Sequence, residues 1–115
     1  MASKVSDTIS ATTTGAKNPG TLTTFPALGG SVHMKLSTGT ATVRVRMWNI
    51  AGAPETVATF TFPVPATNAD GMPNANVGAM SDMCQIYGQA LDFDYYVDAI
   101  AGGGTLDIDF RGTEV

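Results

Sequence analysis

Residues 93–110, FDYYVDAIAGGGTLDIDF, decide the fold class of this chain. Apolar and polar residues alternate on both sides of the three glycines, as strands with one buried and one solvated face require. Glycine adopts the positive φ angles of a tight reversal without steric cost. The pattern predicts a closing β-hairpin with its turn at residues 101–104, in which Asp98 lies opposite Asp107 on one face.

The same alternation recurs through residues 31–36, 43–47 and 57–64, with turns predicted at residues 37–40 and 51–54. The mixed pattern of residues 79–89 fits a short helical turn or a strand, of which we favour the strand. The Pro-, Asn- and Gly-rich residues 65–78 are expected to form a long surface loop. Short strands between Gly and Pro turns predict an all-β fold, an antiparallel β-sandwich or jelly roll of about seven to eight strands. The in-phase apolar positions are expected to form one core between the sheets: Val43, Val45, Phe60, Phe62, Val97, Leu106, Ile108 and Phe110.

Residues 1–30 differ from the rest of the chain because they are rich in Thr and Gly and poor in large apolar side chains. They are expected to form an extended N-terminal arm, whereas residues 31–115 form the β-sandwich domain. Residues 2 to about 20 of this arm are expected to be disordered in the isolated subunit and ordered in the assembly. An arm of this kind can pair with the edge of its own sheet or of a neighbour's, and the sequence leaves both options open.

The composition of the 115 residues predicts one domain with a thinly charged surface. Charged residues make up 14% of the chain, against about 25% in ordinary soluble domains. Either the exterior is simply Thr-rich, or neighbouring subunits cover much of it. The net charge of −4 and the scattered basic residues argue against nucleic acid as a partner.

The cysteine content and the lack of long apolar stretches indicate the compartment in which the chain is made. The single cysteine, Cys84, excludes a disulfide within the chain, and residues 1–4 lack the apolar run of a signal peptide. No apolar stretch approaches the length of a membrane span. We therefore expect synthesis in a cytoplasm and no membrane partner.

Catalytic side chains are sparse. His33 is the only histidine and is predicted to face solvent in the middle of a strand, and Cys84 is predicted to be a small buried hydrophobe. We expect no enzyme activity, no resident metal and no cofactor. Two carboxylates could in principle hydrolyse a glycosidic bond, but that reaction needs a substrate groove that so short a chain hardly provides.

The acidic residues of the closing stretch need compensation, because Asp98 and Asp107 repel each other if the hairpin brings them together. Solvent screening, a bound calcium ion, or arginines from another strand or subunit would each supply it. We expect Arg44 or Arg46 to reach this face across a subunit boundary.

Trp48 falls out of phase with the inward residues of its strand, so it lies either on the exposed face or after a bulge. The sequence-predicted interface residues are therefore Arg44, Arg46, Trp48, Asp98 and Asp107. An alternative is a sugar-binding platform made of Trp48, Tyr87, Tyr95 and Tyr96.

Residues 95–108, YYVDAIAGGGTLDI, resemble the C-terminal hairpin of many small virion proteins of tailed bacteriophages, and residues 40–45, TATVRV, resemble one of their paired strands. The resemblance implies a capsid decoration (cement) protein: a non-enzymatic β-sandwich that binds the major capsid protein on the outside of the head. It also implies a homotrimer or other homo-oligomer, located on the virion and assembled in the host cytoplasm. A tail or head-tail component, a small carbohydrate-binding module and a small hydrolase remain as alternatives.

Overall fold

The computed structural model describes residues 3–17, 27–48, 51–68, 71–87 and 93–114. These residues form eight β-strands: β1 (Ser3–Ala11), β2 (Gly15–Lys17), β3 (Ala27–Leu36), β4 (Thr40–Trp48), β5 (Pro54–Phe62), β6 (Ser81–Tyr87), β7 (Phe93–Ala101) and β8 (Leu106–Glu114). The predicted all-β class is confirmed, and so is the strand predicted within residues 79–89, which is β6.

The strands form two antiparallel four-stranded sheets that pack face to face as a β-sandwich. Sheet A has the strand order β1-β8-β3-β6, and sheet B has the order β2-β7-β4-β5. Only the β4–β5 connection joins neighbours of one sheet; every other connection passes from one sheet to the other. The apolar face of each strand therefore meets the apolar face of the opposite sheet.

The core between the sheets contains all eight residues predicted for it, and each of these is at most 2% exposed. Tyr95 and Phe93 join them, and the Phe93 ring lies 5.3 Å from the Phe110 ring, measured between centroids. Period-two alternation located this core correctly because each strand has one face toward the opposite sheet and one toward solvent.

The closing stretch is not a hairpin. β7 pairs with β2 and β4, whereas β8 pairs with β1 and β3, so residues 102–105 form an arch that crosses from sheet B to sheet A. Asp98 and Asp107 consequently belong to different sheets, and the prediction that they lie opposite each other is wrong. A hairpin and an arch bury the same alternate positions, so the sequence pattern does not distinguish them.

The N-terminal residues are strands of the sandwich itself. β1 pairs with β8 along its whole length, from Ser3 opposite Glu114 to Ala11 opposite Leu106, and β2 pairs with β7. Ala11 is buried in the core. Residues 3–17 thus pair with strands of their own chain and not with a neighbour's. They are part of the domain rather than a separate arm.

The predicted loop between β5 and β6 is present and is held by its own hydrogen bonds. The Val64 amide donates to the Ala79 carbonyl at 2.9 Å, the Asn74 amide donates to the Ala66 carbonyl at 2.9 Å, and the Asn74 side chain donates to the Pro65 carbonyl. These bonds satisfy part of the backbone of the loop, whose described residues, 63–68 and 71–80, contain no regular strand.

Candidate interaction surface

The outer surface of sheet B carries an unusual set of side chains on two neighbouring strands. Val43 and Val45 of β4 point into the core, so Arg44, Arg46 and Trp48 point outward. This alternation places Trp48 on the outer face, the first of the two positions predicted for it. On β7, Tyr96 lies opposite Arg44 and Asp94 opposite Arg46.

A sixth side chain, that of Asp98, reaches this surface because of an irregularity in β7. Thr42 pairs with Ala99 and Val43 with Val97, so Asp98 is an extra residue between them. A bulge of this kind redirects one side chain. We call the outward set Arg44, Arg46, Trp48, Asp94, Tyr96 and Asp98 the Arg-aromatic face.

Each arginine of this face is held by a carboxylate of β7 through two hydrogen bonds. Arg44 donates from Nε and Nη2 to the two oxygens of Asp98 at 2.7 and 2.9 Å, and Arg46 donates likewise to Asp94 at 2.9 and 2.6 Å. The carboxylate hydrogen bonds raise the pKa of both guanidinium groups above its ordinary value. Both arginines are therefore held in one position. Each carries a full positive charge, which the negative charge of its aspartate partner balances.

The two ion pairs differ in exposure. The side chains of Arg44 and Asp98 are 34% and 33% exposed, whereas those of Arg46 and Asp94 are 15% and 3% exposed. The Arg46–Asp94 pair is thus shielded from water, and the Arg44–Asp98 pair remains at the surface.

Aromatic rings alternate with the guanidinium groups. The Arg46 guanidinium carbon lies 4.4 Å from the centre of the Tyr96 ring and 5.3 Å from the centre of the Trp48 ring. The Arg44 guanidinium lies 5.0 Å from the Tyr96 ring. Stacking of this kind fixes long side chains in one orientation, so the face is rigid before any partner arrives.

The pairing of arginine with aspartate predicted from the sequence occurs, but within one chain instead of across a subunit boundary. Arg44 binds Asp98 of its own chain, and Arg46 binds Asp94, a residue the sequence analysis did not select. A signal for both existed: Arg44 and Arg46 are spaced by two along β4, as Asp94, Tyr96 and Asp98 are along β7. Whether this face joins subunits stays a prediction.

Asp107, the fifth predicted interface residue, lies on the opposite surface of the molecule. There the Ser10 hydroxyl donates to Asp107 at 2.7 Å, and the Thr8 hydroxyl donates to Asp109 at 2.8 Å. The Thr8 hydrogen bond, with a further bond from Arg111, lowers the pKa of Asp109 below its ordinary value. Asp107 is therefore not part of the Arg-aromatic face.

The proposed aromatic platform for sugars is not assembled. Tyr95 is buried in the core, and the Tyr87 side chain lies outside the described residues. Arg46 covers one side of both Tyr96 and Trp48. The rings of the Arg-aromatic face thus contact guanidinium groups where a platform would hold a sugar.

His33 faces solvent, as predicted, whereas Cys84 is less buried than predicted. His33 is exposed on the outer surface of sheet A, and Cys84 is half-buried against the core. Burial raises the pKa of the Cys84 thiol to about 11, with a smaller contribution from the negative charge of Asp82. The thiol is therefore protonated at neutral pH.

The described residues include neither a cluster of metal-ligating side chains nor a membrane-spanning helix. They contain no group of three or more His, Cys, Asp or Glu side chains that could hold a metal ion. The same residues include no helix long and apolar enough to cross a membrane.

No known protein family matches the chain, and no curated protein matches it.

Proposed function

We propose that this protein is a non-enzymatic structural protein of a virion, a capsid decoration protein that binds the outer surface of a bacteriophage head. The strand order is the observation that carries the proposal. Sheets ordered β1-β8-β3-β6 and β2-β7-β4-β5, with connections that cross between them, have the topology of a jelly roll. Jelly rolls of eight strands are common in viral capsid proteins.

The chemistry of the Arg-aromatic face supports its use as the docking surface. Arginine, tryptophan and tyrosine are the residue types that most often dominate the binding energy of protein interfaces. Here they are held rigid by two bidentate ion pairs and three guanidinium–ring contacts. Little side-chain entropy is lost when such a surface binds, which favours attachment to a flat protein shell.

The charge balance of this face favours a protein surface over an anionic partner. Two arginines are matched by Asp94 and Asp98, so the face has no excess positive charge to attract a phosphate backbone. The low content of charged residues, 14%, also suits an exterior that neighbouring subunits cover on assembly. Neutral hydrogen-bonding contacts would then spread across adjacent shell subunits and reinforce the shell.

The test is co-sedimentation of the purified protein with shells assembled from the major capsid protein of the same virus. We expect binding by the natural chain and loss of binding by the Trp48→Ala and Arg44→Ala variants. Thr12→Ala changes an exposed residue between β1 and β2 and serves as the control, since it should bind normally. Binding should change by less than about threefold between about 0.05 and 0.5 M salt, because the face is neutral overall.

One result would contradict this function, and another would contradict the choice of docking surface. Absence of the natural chain from sedimented shells at micromolar concentration would remove the assignment to the head surface. Undiminished binding by the Trp48→Ala and Arg44→Ala variants would move the docking surface elsewhere on the molecule.

A further inference from the structure

A shallow groove of about 480 Å³ crosses the outer surface of sheet A, on the side of the molecule opposite to the Arg-aromatic face. Its lining includes His33, Lys35, Asn76, Met83 and three acidic residues, Asp82, Asp107 and Asp109. We propose that this groove is a carbohydrate-binding site that takes a neutral sugar of one or two rings. The proposal goes beyond shell attachment and does not depend on it.

The cations and carboxylates of the groove lie side by side without bonding to each other. In the register of β3 and β8, Lys35 is opposite Asp107, and His33 is opposite Asp109. The two carboxylates of β8 are bound by other groups. Ser10 of β1 donates to Asp107, whereas Thr8 of β1 and Arg111 of β8 itself both donate to Asp109. In the described part of the chain, neither Lys35 nor His33 forms an ion pair.

This arrangement contrasts with the Arg-aromatic face, where each arginine is bound by its own carboxylate. In the groove a donor on Lys35 and an acceptor on Asp107 are held next to each other by the sheet. A ligand that completes both hydrogen bonds needs a donor and an acceptor on neighbouring atoms. Adjacent hydroxyl groups of a sugar meet that requirement, because each hydroxyl both donates and accepts.

The apolar component of the groove fits the same ligand. Met83 lies opposite His33 on the edge strand β6 and is 49% exposed. A sugar ring has a face of C–H groups that needs an apolar contact while its hydroxyls are bound at the edge, and a methionine side chain adapts to such a shape. The Asn76 amide, which offers both a donor and an acceptor, lines the groove as well.

The volume of the groove and the fold of the domain both fit a bound sugar of one or two rings. About 480 Å³ lies within the range of small-ligand sites and suits one or two sugar rings rather than a long chain. Jelly rolls serve lectin domains as well as capsids. A neutral sugar also avoids the electrostatic cost of bringing an anion next to Asp107 and Asp109.

The test is saturation-transfer NMR, which detects weak binding, with four free saccharides: maltotriose, cellotriose, chitotriose and lactose. We expect transfer from the protein to at least one of them, and its loss in both Asp107→Ala and Lys35→Ala. The Thr12→Ala variant should retain it. Thermal melting of each variant, with Asp107→Asn as a conservative replacement, separates loss of the site from loss of the fold.

Absence of transfer to all four saccharides would overturn the proposal. Transfer that disappears in Trp48→Ala and persists in Asp107→Ala would also overturn it, since the sugar would then lie on sheet B. If a neutral serine-rich peptide shifts the amide signals of Lys35 and Asp107 while the saccharides do not, the groove is a peptide site instead. Shell co-sedimentation of Asp107→Ala distinguishes the two proposals, because a groove that binds only sugar leaves shell binding unchanged.

Discussion

The two arginine–aspartate ion pairs have the same chemistry and differ in how far their side chains are buried. The side chains of Arg46 and Asp94 are 15% and 3% exposed, and the Tyr96 and Trp48 rings lie against the Arg46 guanidinium, so little water reaches this pair. Arg44 and Asp98 keep about a third of their surface in water, which screens their attraction. The geometry of the hydrogen bonds is similar in both, so the energetic difference comes from the surroundings.

Removing one partner from each pair measures this difference. We expect Asp94→Ala to lower the free energy of unfolding by about 3 kcal/mol, because it leaves the Arg46 charge shielded and unpaired. Asp98→Ala is the matched control and should cost less than about 1 kcal/mol. Urea denaturation of the two variants gives both values. Equal losses would show that the rings do not shield Arg46 from solvent.

The thiol of Cys84 provides a second test of a local environment. Burial raises its pKa from 9.0 to about 11, so the thiolate fraction near pH 8 falls by about a hundredfold. Alkylation by iodoacetamide at that pH should be slower in the folded protein by at least this factor than in guanidinium chloride, and should accelerate as the pH approaches 11. Because the folded-state pKa is raised, the stability that the protonated thiol contributes is lost as the pH rises through the folded value. Similar rates in the folded and unfolded protein would contradict the burial.

At the scale of elements, the arch between β7 and β8 is fixed by close backbone contact with the turn between β3 and β4. The Ser37 amide donates to the Thr105 carbonyl at 3.1 Å, and the Thr105 amide donates to the Ser37 hydroxyl at 2.8 Å. Gly104 is buried against Thr38, and a Cβ atom at Gly104 would overlap the Thr38 carbonyl oxygen. The two crossings between the sheets thus support each other.

Two alanine substitutions separate the contact from the backbone conformation. Gly104→Ala should cost about 3 kcal/mol, because the obstructing atom is backbone and has little room to move. Gly103→Ala places a Cβ atom in open space and should cost about 1 kcal/mol, the strain of its positive φ of 77°. Thermal unfolding of both variants measures the order. A larger loss for Gly103→Ala would show that conformation rather than contact fixes the arch.

The core depends on the strands that the alternation identified most clearly. Phe62 is 1% exposed and stacks with Phe60 at 6.3 Å between ring centres. Phe62→Ala should therefore lower the free energy of unfolding by about 3 to 5 kcal/mol. Val57→Ala, on the same strand at a position that is 47% exposed, should change it by less than about 1 kcal/mol. A loss below about 1 kcal/mol for Phe62→Ala in a denaturant series would show that this position is not buried.

The same alternation explains why some sequence predictions succeeded and others failed. It identifies which face of β4 or β8 is buried, because that depends on local order alone, and so it predicts Val43 and Ile108 correctly. It carries no information on which strand lies beside which, because hydrogen-bonded neighbours such as β8 and β3 are far apart in sequence. The hairpin prediction failed for that reason, and with it the prediction that Asp98 lies opposite Asp107. The glycines marked the reversal without showing that it crosses between sheets.

Across the whole molecule, the outer surfaces of the two sheets differ in which groups bind their charged side chains. On sheet B each cation of the Arg-aromatic face is bound by a carboxylate, which leaves a rigid and neutral surface suited to a protein partner. On sheet A, Asp107 accepts from Ser10, and Asp109 accepts from Thr8 and Arg111, so neither carboxylate binds the neighbouring Lys35 or His33. The N-terminal strand is thus part of the chemistry of sheet A as well as of its hydrogen bonding.

Deletion of residues 1–11 tests whether β1 is integral to the domain. The composition alone predicts a dispensable arm, whereas the structure pairs β1 with β8 and buries Ala11. We expect the deletion to lower the free energy of unfolding by about 3 kcal/mol or more, through lost burial and the lost bonds from Thr8 and Ser10. Ser10→Ala removes one of those bonds without the strand and should cost about 1 kcal/mol.

The truncated chain should also associate, because removal of β1 exposes the backbone groups of β8 as a new edge, and unpaired edges recruit other strands. Light scattering after size-exclusion chromatography would show species of larger mass than the full chain gives. A truncated protein with unchanged stability and unchanged size would instead mean that β8 does not need β1. Residues 1–11 would then be the separate arm that their composition predicts, free to pair with a neighbouring subunit.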